Sequence, residues 1–197
     1  NPSVWLEGTD IYVAWIDDSG DAIEVNTINT ASADALGTKC SSADQGTIDT
    51  PRFTVSIAVA DNGTVYFAYS DTDEVDTEAA VFKLTFSGCS FTDITSGSSL
   101  TALDRPSVVT IGNSLHMIFQ DGNLSHSVYD GTSWTTANTT IAAVTDDNYD
   151  VTTDGTSIWV LTVSGATGNN FYKCASCPDS TPSWSSLTAP WSSQTNV

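Results

Sequence analysis

Four cysteines are the residues whose type and spacing most directly suggest chemistry. Cys174 and Cys177 form a C-x-x-C pair, a spacing found in zinc sites, thiol redox centres and local disulfides. A zinc site needs a second pair of ligands, and a thioredoxin-like centre needs a helix N-terminus, which the surrounding strand pattern does not provide. We therefore expect a disulfide that staples a hairpin. Cys40 and Cys89 stand at corresponding places in successive repeats, so we expect them to pair between neighbouring outer strands.

Clusters of acidic residues are the next candidates, because Ca²⁺ prefers several carboxylate and carbonyl oxygens on one loop. The first such cluster contains Asp17, Asp18 and Asp21. No acidic cluster of the chain has the complete pattern of a calcium-binding loop that ends in a bidentate Glu. Two interpretations therefore stay open for Asp17, Asp18 and Asp21, a calcium site and a solvated turn. Calcium is the only cofactor that the sequence suggests.

The remaining residues do not indicate a catalytic set. His116 and His126 fall in strands of one repeat, and the sequence singles out no nucleophile as a partner for either of them, which favours structural roles. A glycosidase needs two carboxylates across a cleft. A chain with 24 acidic residues offers such pairs everywhere, so the sequence indicates none of them. We nominate no catalytic residue and expect this segment not to be an enzyme.

The charge and the cysteines restrict the partners and the compartment. A net charge of −19, from 24 acidic and five basic residues, argues against nucleic acid, which requires a cluster of cations. No apolar run is long enough to span a bilayer. Four cysteines favour an oxidising compartment, and Asn62, Asn123 and Asn138 begin N-x-Ser/Thr sequons and are candidates for glycosylation. The sequence therefore predicts a secreted or cell-surface protein.

An internal repeat supplies the elements that must position these residues. A short apolar column starts at residues 11, 65, 115 and 158, so the successive offsets are 54, 50 and 43 residues. Each column is too short for a helix, is rich in β-branched and aromatic residues and is bounded by turn formers, which predicts a buried strand. The columns are Ile11–Trp15, Val65–Tyr69, Leu115–Phe119 and Ile158–Thr162.

Another strand precedes each column across a turn of Gly, Asn or Asp, and a third strand follows it. Three or four antiparallel strands at a period near 49 residues are typical of a β-propeller blade. We predict an all-β chain with a single propeller domain over residues 1–197. The predicted blades are 1–50, 51–104, 105–147 and 148–197. These blades either close on themselves or form part of a larger ring, and the strand-like ending at residues 195–197 favours the partial ring.

With this pattern the chain resembles the sialidase-like (Asp-box, or BNR-type) propeller superfamily, and especially its non-catalytic secreted bacterial repeat proteins. The likeness is carried by residues 55–71 and 106–121, and by the stretch from Cys174 through Cys177 to Trp184, which is similar to an outer hairpin of such repeats. The resemblance implies the propeller fold. A sialidase in this superfamily uses three Arg, whereas this chain has Arg52 and Arg105. Residues 129–134 echo the Asp box only in part.

These observations predict a non-catalytic extracellular module for binding, adhesion or assembly of an extracellular structure. We expect it to contact a protein or glycan partner, or further copies and subunits, through loops at the ends of the blades. Two alternatives remain. One is a carbohydrate-active, sialidase-like glycoside hydrolase with part of its site outside this segment, and the other is a calcium-dependent lectin.

Overall fold

The computed structural model describes residues 2–17, 22–32, 35–37, 39–41, 54–72, 77–100, 105–120, 122–143, 148–164, 168–177 and 181–187. In these ranges the chain is nearly all β-strand, with one 3-10 turn at Thr30–Ser32. The strands form four antiparallel sheets arranged as the blades of a four-bladed β-propeller, which confirms the predicted fold class. Within the described part of the chain, no helix is long and apolar enough to cross a membrane.

Strands pair with their neighbours in chain order within each blade. Blade 1 contains β1 (Ser3–Glu7), β2 (Asp10–Asp17), β3 (Ala22–Asn29), β4 (Ala35–Leu36) and β5 (Cys40–Ser41), and both β4 and β5 pair with β3. Blade 2 contains β6 (Thr54–Val59), β7 (Val65–Thr72), β8 (Thr77–Thr85) and β9 (Ser90–Asp93). Blade 3 contains β10 (Ser107–Ile111), β11 (Ser114–Gln120), β12 (Leu124–Tyr129) and β13 (Trp134–Ala142). Blade 4 contains β14 (Asn148–Thr153), β15 (Ile158–Ser164), β16 (Gly168–Cys174) and β17 (Trp184–Leu187).

The four apolar columns lie in the second strands, β2, β7, β11 and β15. Each second strand is reached from the first strand through a tight turn that contains a glycine with positive φ. These glycines are Gly8, Gly63, Gly112 and Gly155, with φ between 58° and 86°. Positive φ strains a residue that carries a Cβ, so the turn chemistry that marks the repeat in the sequence has a direct conformational cause.

Hydrogen bonds between first strands fix the position of one blade against the next. The Ser3 hydroxyl of β1 accepts a hydrogen bond from the Ile57 amide of β6 at 3.2 Å. One blade later, the Ser56 hydroxyl of β6 accepts from the Val108 amide of β10 at 2.9 Å. The repeated serine therefore satisfies a backbone donor of the following blade, which an apolar residue could not do.

Apolar clusters fill the spaces between successive blades. The first cluster joins blades 1 and 2 and includes Tyr69, the second joins blades 2 and 3 and includes Phe119, and the third joins blades 3 and 4. The column residues Tyr69 and Phe119 thus pack between blades. The large apolar side chains that are exposed in the described part of the chain fall on blades 1 and 4, and they are Val4, Leu6, Leu36, Val163 and Leu187.

Both expected disulfides are present. Cys40 of β5 is bonded to Cys89, in the turn between β8 and β9, so this bridge joins blade 1 to blade 2. Cys174 at the end of β16 is bonded to Cys177, which staples the hairpin before β17. The Cα atoms of each pair are 5.2 Å apart, inside the usual range for a disulfide.

Candidate functional site

The first strands of the four blades surround a central channel, because β6 lies against both β1 and β10, and β14 lies against β10. At the end where these strands begin, the channel opens into a cavity of about 530 Å³, a size typical of small-molecule sites. All four first strands contribute to its lining. The cavity therefore depends on the assembly of the blades and not on any single repeat.

Trp5 of β1 lines this cavity and also a second one, of about 360 Å³, at the opposite end of the first strands. Strand alternation places Ser3 and Trp5 on the side of β1 that faces blade 2, whereas Val4 and Leu6 are exposed on the other side. The Trp5 ring packs against all three inter-blade clusters. Its indole Nε1 is buried and has no hydrogen-bond partner among the described residues. An unsatisfied buried N–H costs about 1–3 kcal/mol, and a ligand acceptor would recover this cost only by reaching the covered nitrogen.

Charged and aromatic groups stand together in the larger cavity. Arg105 precedes β10, and Asp150 is an exposed residue of β14. The Asp150 carboxylate accepts a hydrogen bond from the Val151 amide at 2.9 Å, which orients it. The neighbouring Tyr149 donates its hydroxyl proton to the Ile118 carbonyl of blade 3 at 3.1 Å, which fixes the ring. The cavity thus offers a cation, a carboxylate and the Trp5 indole within one space.

The partial Asp box has a structural role. The Asp130 carboxylate accepts hydrogen bonds from the Thr132 hydroxyl at 2.7 Å and from the Thr132 and Ser133 amides at 2.8 Å. These bonds lower the pKa of Asp130, with the Thr132 hydroxyl as the largest cause. Asp154 caps the turn between β14 and β15 in the same way, and its pKa is also lowered by hydrogen bonds. Both carboxylates therefore accept hydrogen bonds within their own turns and stabilise them.

A second group of chemistry-bearing side chains lies between blades 3 and 4. His116 of β11 and His126 of β12 are fully buried, and Nδ1 of His116 is 3.1 Å from Nε2 of His126. Cys177, bonded to Cys174, approaches this pair from blade 4. One ligand-type atom from each of His116, His126 and Cys177 lies within 4.8 Å of the others. The structure thus brings both predicted histidines to the predicted disulfide.

The hydrogen bonds around His126 define where its proton resides. The Trp184 indole can only donate, and its Nε1 is 3.3 Å from His126 Nδ1, so Nδ1 is the acceptor. In the neutral ring Nε2 then carries the proton and donates it to His116 Nδ1. Burial, and to a smaller extent the neighbouring His116, lowers the pKa of His126 well below its usual value of 6.5. His126 is therefore neutral at physiological pH.

From the sequence the two histidines were expected to have structural roles, and their approach to the cysteines was not foreseen. The register of β11 and β12 pairs His116 with Val128 and Ile118 with His126, so both histidines lie on one face of the sheet. The short turn between these strands was a usable signal, because it fixes which residues pair. The contact with Cys177 depends on how blade 4 packs on blade 3, which no local pattern reveals.

Several predicted site residues lie wholly or partly outside the described part of the chain. Asp17 ends β2, whereas Asp18 and Asp21 lie outside the described residues, so the calcium site stays a prediction. Arg52 also lies outside the described residues. The glycosylation candidates lie in two turns and at a positive-φ position of β13; Asn62 and Asn138 are exposed, Asn123 is half-buried, and their modification stays a prediction.

No known family model matches the chain, and no curated protein sequence matches it. Solved propeller structures do match. The lectin from Aleuria aurantia, in complex with Fucα1-6GlcNAc, aligns with a TM-score of 0.59 at 14% identity, over 95% of this chain and 60% of the lectin. An α-L-arabinofuranosidase from Lactobacillus brevis aligns with a TM-score of 0.57 at 13% identity, over 94% of this chain and 71% of the enzyme. TolB from Acinetobacter baumannii aligns with a TM-score of 0.54 at 10% identity, over 95% of this chain and 42% of TolB.

These likenesses show the fold alone, because the identities are low. The chain spans about 60% of the length of the lectin. The likeness is to β-propeller lectins and glycosidases, and membership of the sialidase-like superfamily to which the sequence pattern points is not confirmed.

Proposed function

We propose that the chain is a non-catalytic extracellular module that binds a neutral glycan in the channel cavity. The observation that carries the proposal is Trp5, whose indole N–H is buried without a partner among the described residues while its side chain lines the cavity. A sugar hydroxyl is an acceptor that would satisfy this donor. Adhesion to a glycan surface, or assembly on one, is the use that fits a module of this kind.

The other groups of the cavity suit the same ligand class. The apolar face of a sugar ring packs on an aromatic side chain, and sugar hydroxyls both donate and accept hydrogen bonds. Arg105 supplies donors and Asp150 supplies acceptors in the same cavity. A specific small-molecule site usually combines a largely apolar wall with a few polar groups that orient the ligand, and Arg105 and Asp150 are such groups here.

Charge favours a neutral sugar over an acidic one. The chain has a formal net charge of −19, so its field repels anions at long range. Arg105 is the cation that the larger cavity holds among the described residues. Recognition of a sialic acid carboxylate by three Arg therefore receives no support from the residues that line the cavity.

The compartment and the fold support the proposal in a general way. Two disulfides fit an oxidising, extracytoplasmic location. The Aleuria aurantia lectin is a six-bladed propeller described with fucose-containing ligands, which makes fucosides reasonable first probes. Transfer of that ligand to this chain is part of the proposal, because a shared fold does not imply a shared function.

A glycoside hydrolase is the second candidate, since Asp150 is an exposed carboxylate in the cavity and one aligned propeller is an arabinofuranosidase. General glycoside hydrolysis uses two carboxylates about 5–10 Å apart. Among the described residues that line the larger cavity, Asp150 is the one acidic residue. Binding without hydrolysis therefore has the better support.

The test is a glycan array with the labelled chain, followed by titration calorimetry with the best ligand. Trp5→Phe keeps an aromatic ring and removes the N–H, so we expect a loss of affinity of about fivefold, the value of one neutral hydrogen bond of about 1 kcal/mol. Trp159→Phe is the matched control, because Trp159 packs under Lys173 on blade 4 and lines neither channel cavity. Its affinity should equal that of the wild type.

Two results would overturn the proposal. One is equal binding by the wild type and the Trp5→Phe variant when both have the same unfolding temperature, which would move the ligand away from the channel. The other is release of monosaccharide from the bound glycan, with loss of this activity in Asp150→Asn, which would establish the hydrolase instead.

A further inference from the structure

The buried cluster between blades 3 and 4 combines the side chains of a common metal site in an oxidised form. His116, His126, Cys174 and Cys177 are all at most 5% exposed. Two of them come from neighbouring strands of blade 3, and two come from the C-x-x-C turn of blade 4. The missing second ligand pair that argued against zinc in the sequence is thus supplied by the histidines of the adjacent blade.

We propose that reduction of the Cys174–Cys177 disulfide converts this cluster into a Cys2His2 site that binds one zinc ion. The reductant is a dithiol, which delivers two electrons and two protons to the disulfide and becomes a disulfide itself. Zn²⁺ then displaces the protons of the two new thiols, and these protons leave to solvent. The metal takes the place of the covalent bond as the link within the turn, and it adds a link to blade 3.

The distances fit tetrahedral coordination. Zinc lies about 2.0–2.1 Å from histidine nitrogen and about 2.3 Å from thiolate sulfur, so two nitrogens on one ion are about 3.3 Å apart. Nδ1 of His116 and Nε2 of His126 are 3.1 Å apart, near this separation, and a rotation of the two rings would direct both nitrogens at one ion. One nitrogen of each histidine and the Cys177 sulfur already lie within 4.8 Å of one another, and reduction frees the Cys174 sulfur, now bonded to Cys177, as the fourth ligand.

The charge balance also fits a buried position. Two thiolates and two neutral imidazoles around Zn²⁺ give a net charge of zero, which avoids the cost of an uncompensated buried charge. In the oxidised form the facing nitrogens share one proton between them, as the 3.1 Å contact requires. A bound zinc ion would take the place of this proton between the two histidine nitrogens.

Trp184 provides a built-in reporter of the change. It now donates to His126 Nδ1 at 3.3 Å. If zinc binds Nε2 of His126, the remaining proton of that ring moves to Nδ1, which can no longer accept from the indole. Zinc binding should therefore release the Trp184 hydrogen bond and change the fluorescence of this residue.

The experiment uses Co²⁺ and Zn²⁺ on the chelator-treated chain, before and after reduction with a dithiol. The reduced chain should bind one Co²⁺ with the absorption of a tetrahedral thiolate site, and Zn²⁺ should displace it because Zn²⁺ binds such sites more tightly. The oxidised chain should bind none. A zinc-dependent change of tryptophan fluorescence should occur in the reduced wild type and be absent from Trp184→Phe.

Matched cysteine variants separate the two bridges. The reduced Cys40→Ala/Cys89→Ala variant keeps the proposed ligands and should still bind one metal ion. The Cys174→Ser/Cys177→Ser variant keeps the other two thiols and should bind none. With Co²⁺, the reduced His116→Asn variant should show only weak thiolate absorption. It should bind the metal at least tenfold less tightly than the reduced wild type.

The proposal is overturned if the reduced Cys40→Ala/Cys89→Ala variant binds no metal, or if Cys174→Ser/Cys177→Ser binds as well as the wild type. Reduction alone is expected to loosen the fold, which circular dichroism will show. In that case added zinc should restore the β-sheet signal and raise the unfolding temperature. A Cys40→Ala/Cys89→Ala variant that is folded before reduction and stays unfolded in excess zinc after reduction also overturns the proposal.

Discussion

The interface between blades 1 and 2 and the interface between blades 3 and 4 come from the same repeat, but different side chains fill them. The first is aromatic, with Phe67 stacked on Phe82 at 5.4 Å between ring centroids, and it is covalently closed by Cys40–Cys89. The second contains the buried polar pair His116 and His126, and its disulfide lies within one hairpin. The first interface is specialised for stability, whereas the second retains buried groups that can change protonation or ligation.

Two tryptophans at equivalent places sharpen this contrast. Trp134 begins β13 and donates its indole proton to the Ile94 carbonyl of blade 2 at 2.7 Å. Trp184 begins β17 and donates to His126 of blade 3 at 3.3 Å. The repeat conserves the geometry of the donor in both blades. Only the acceptor differs, and it is a titratable ring in the second case.

The largest effect that separates the two interfaces should come from their disulfides. Chain-entropy arguments give about 4 kcal/mol for a bridge across 49 residues and about 2 kcal/mol for a bridge across three. We therefore expect Cys40→Ala/Cys89→Ala to lower the free energy of unfolding by about twice as much as Cys174→Ala/Cys177→Ala. Urea unfolding of both variants measures this, and equal losses would contradict the assignment of stability to the first interface.

The pH dependence of stability should come from the second interface. The pKa of His126 is lowered in the folded chain by burial and by His116, whereas the unfolded chain takes up a proton near pH 6.5. The unfolded state therefore binds more protons below this pH, and the free energy of unfolding falls by up to about 1.4 kcal/mol for each pH unit. The loss begins near pH 6.5 and ends at the lower pKa of the folded state.

Urea unfolding between pH 7.5 and pH 5 checks this dependence. The control is His126→Gln, which keeps an acceptor for Trp184 but does not titrate. Its unfolding free energy should depend less steeply on pH than that of the wild type. Parallel curves for the two proteins would show that the acid sensitivity arises elsewhere.

A smaller effect on stability tests whether an unsatisfied buried hydroxyl in blade 4 destabilises the folded chain. Thr162 is 1% exposed, and its hydroxyl oxygen has no hydrogen-bond partner among the described residues. Thr162→Val removes the unsatisfied group at nearly constant volume, so we expect stability to rise by about 1 kcal/mol. Thr110→Val is the matched control, because the Thr110 hydroxyl donates to the Val59 carbonyl at 2.6 Å between blades 2 and 3. That variant should lose about 1 kcal/mol, and thermal unfolding of both proteins decides the sign.

The fold was accessible from the sequence because its signals are local and repeated. The columns Leu115–Phe119 and Val65–Tyr69 are bounded by turn residues in the same way, and both form second strands. The pairing of Cys40 with Cys89 followed from their equivalent places in successive blades, since equivalent places in neighbouring blades are close in space. Strands that repeat a local pattern can be predicted without knowledge of long-range packing.

The candidate sites were less accessible because they depend on packing between blades. Trp5 is an ordinary aromatic residue of a strand until the ring places it in the channel beside Arg105 and Asp150. His126 meets Cys177 only when two sheets face each other. Acidic residues were conspicuous in the sequence, yet Asp130 and Asp154 accept hydrogen bonds within their own turns. Abundance of a residue type was therefore a poor guide to its chemistry.

Trp5 also bears on how the molecule folds. In most repeat architectures each unit contacts only its neighbours, so stability adds up along the chain and unfolding can begin at one end. The Trp5 ring contacts the clusters between blades 1 and 2, between blades 2 and 3, and between blades 3 and 4. The first strand is thus coupled to the last interface without a neighbour in between. Because one side chain joins all three interfaces, we expect the four blades to unfold together and not one at a time.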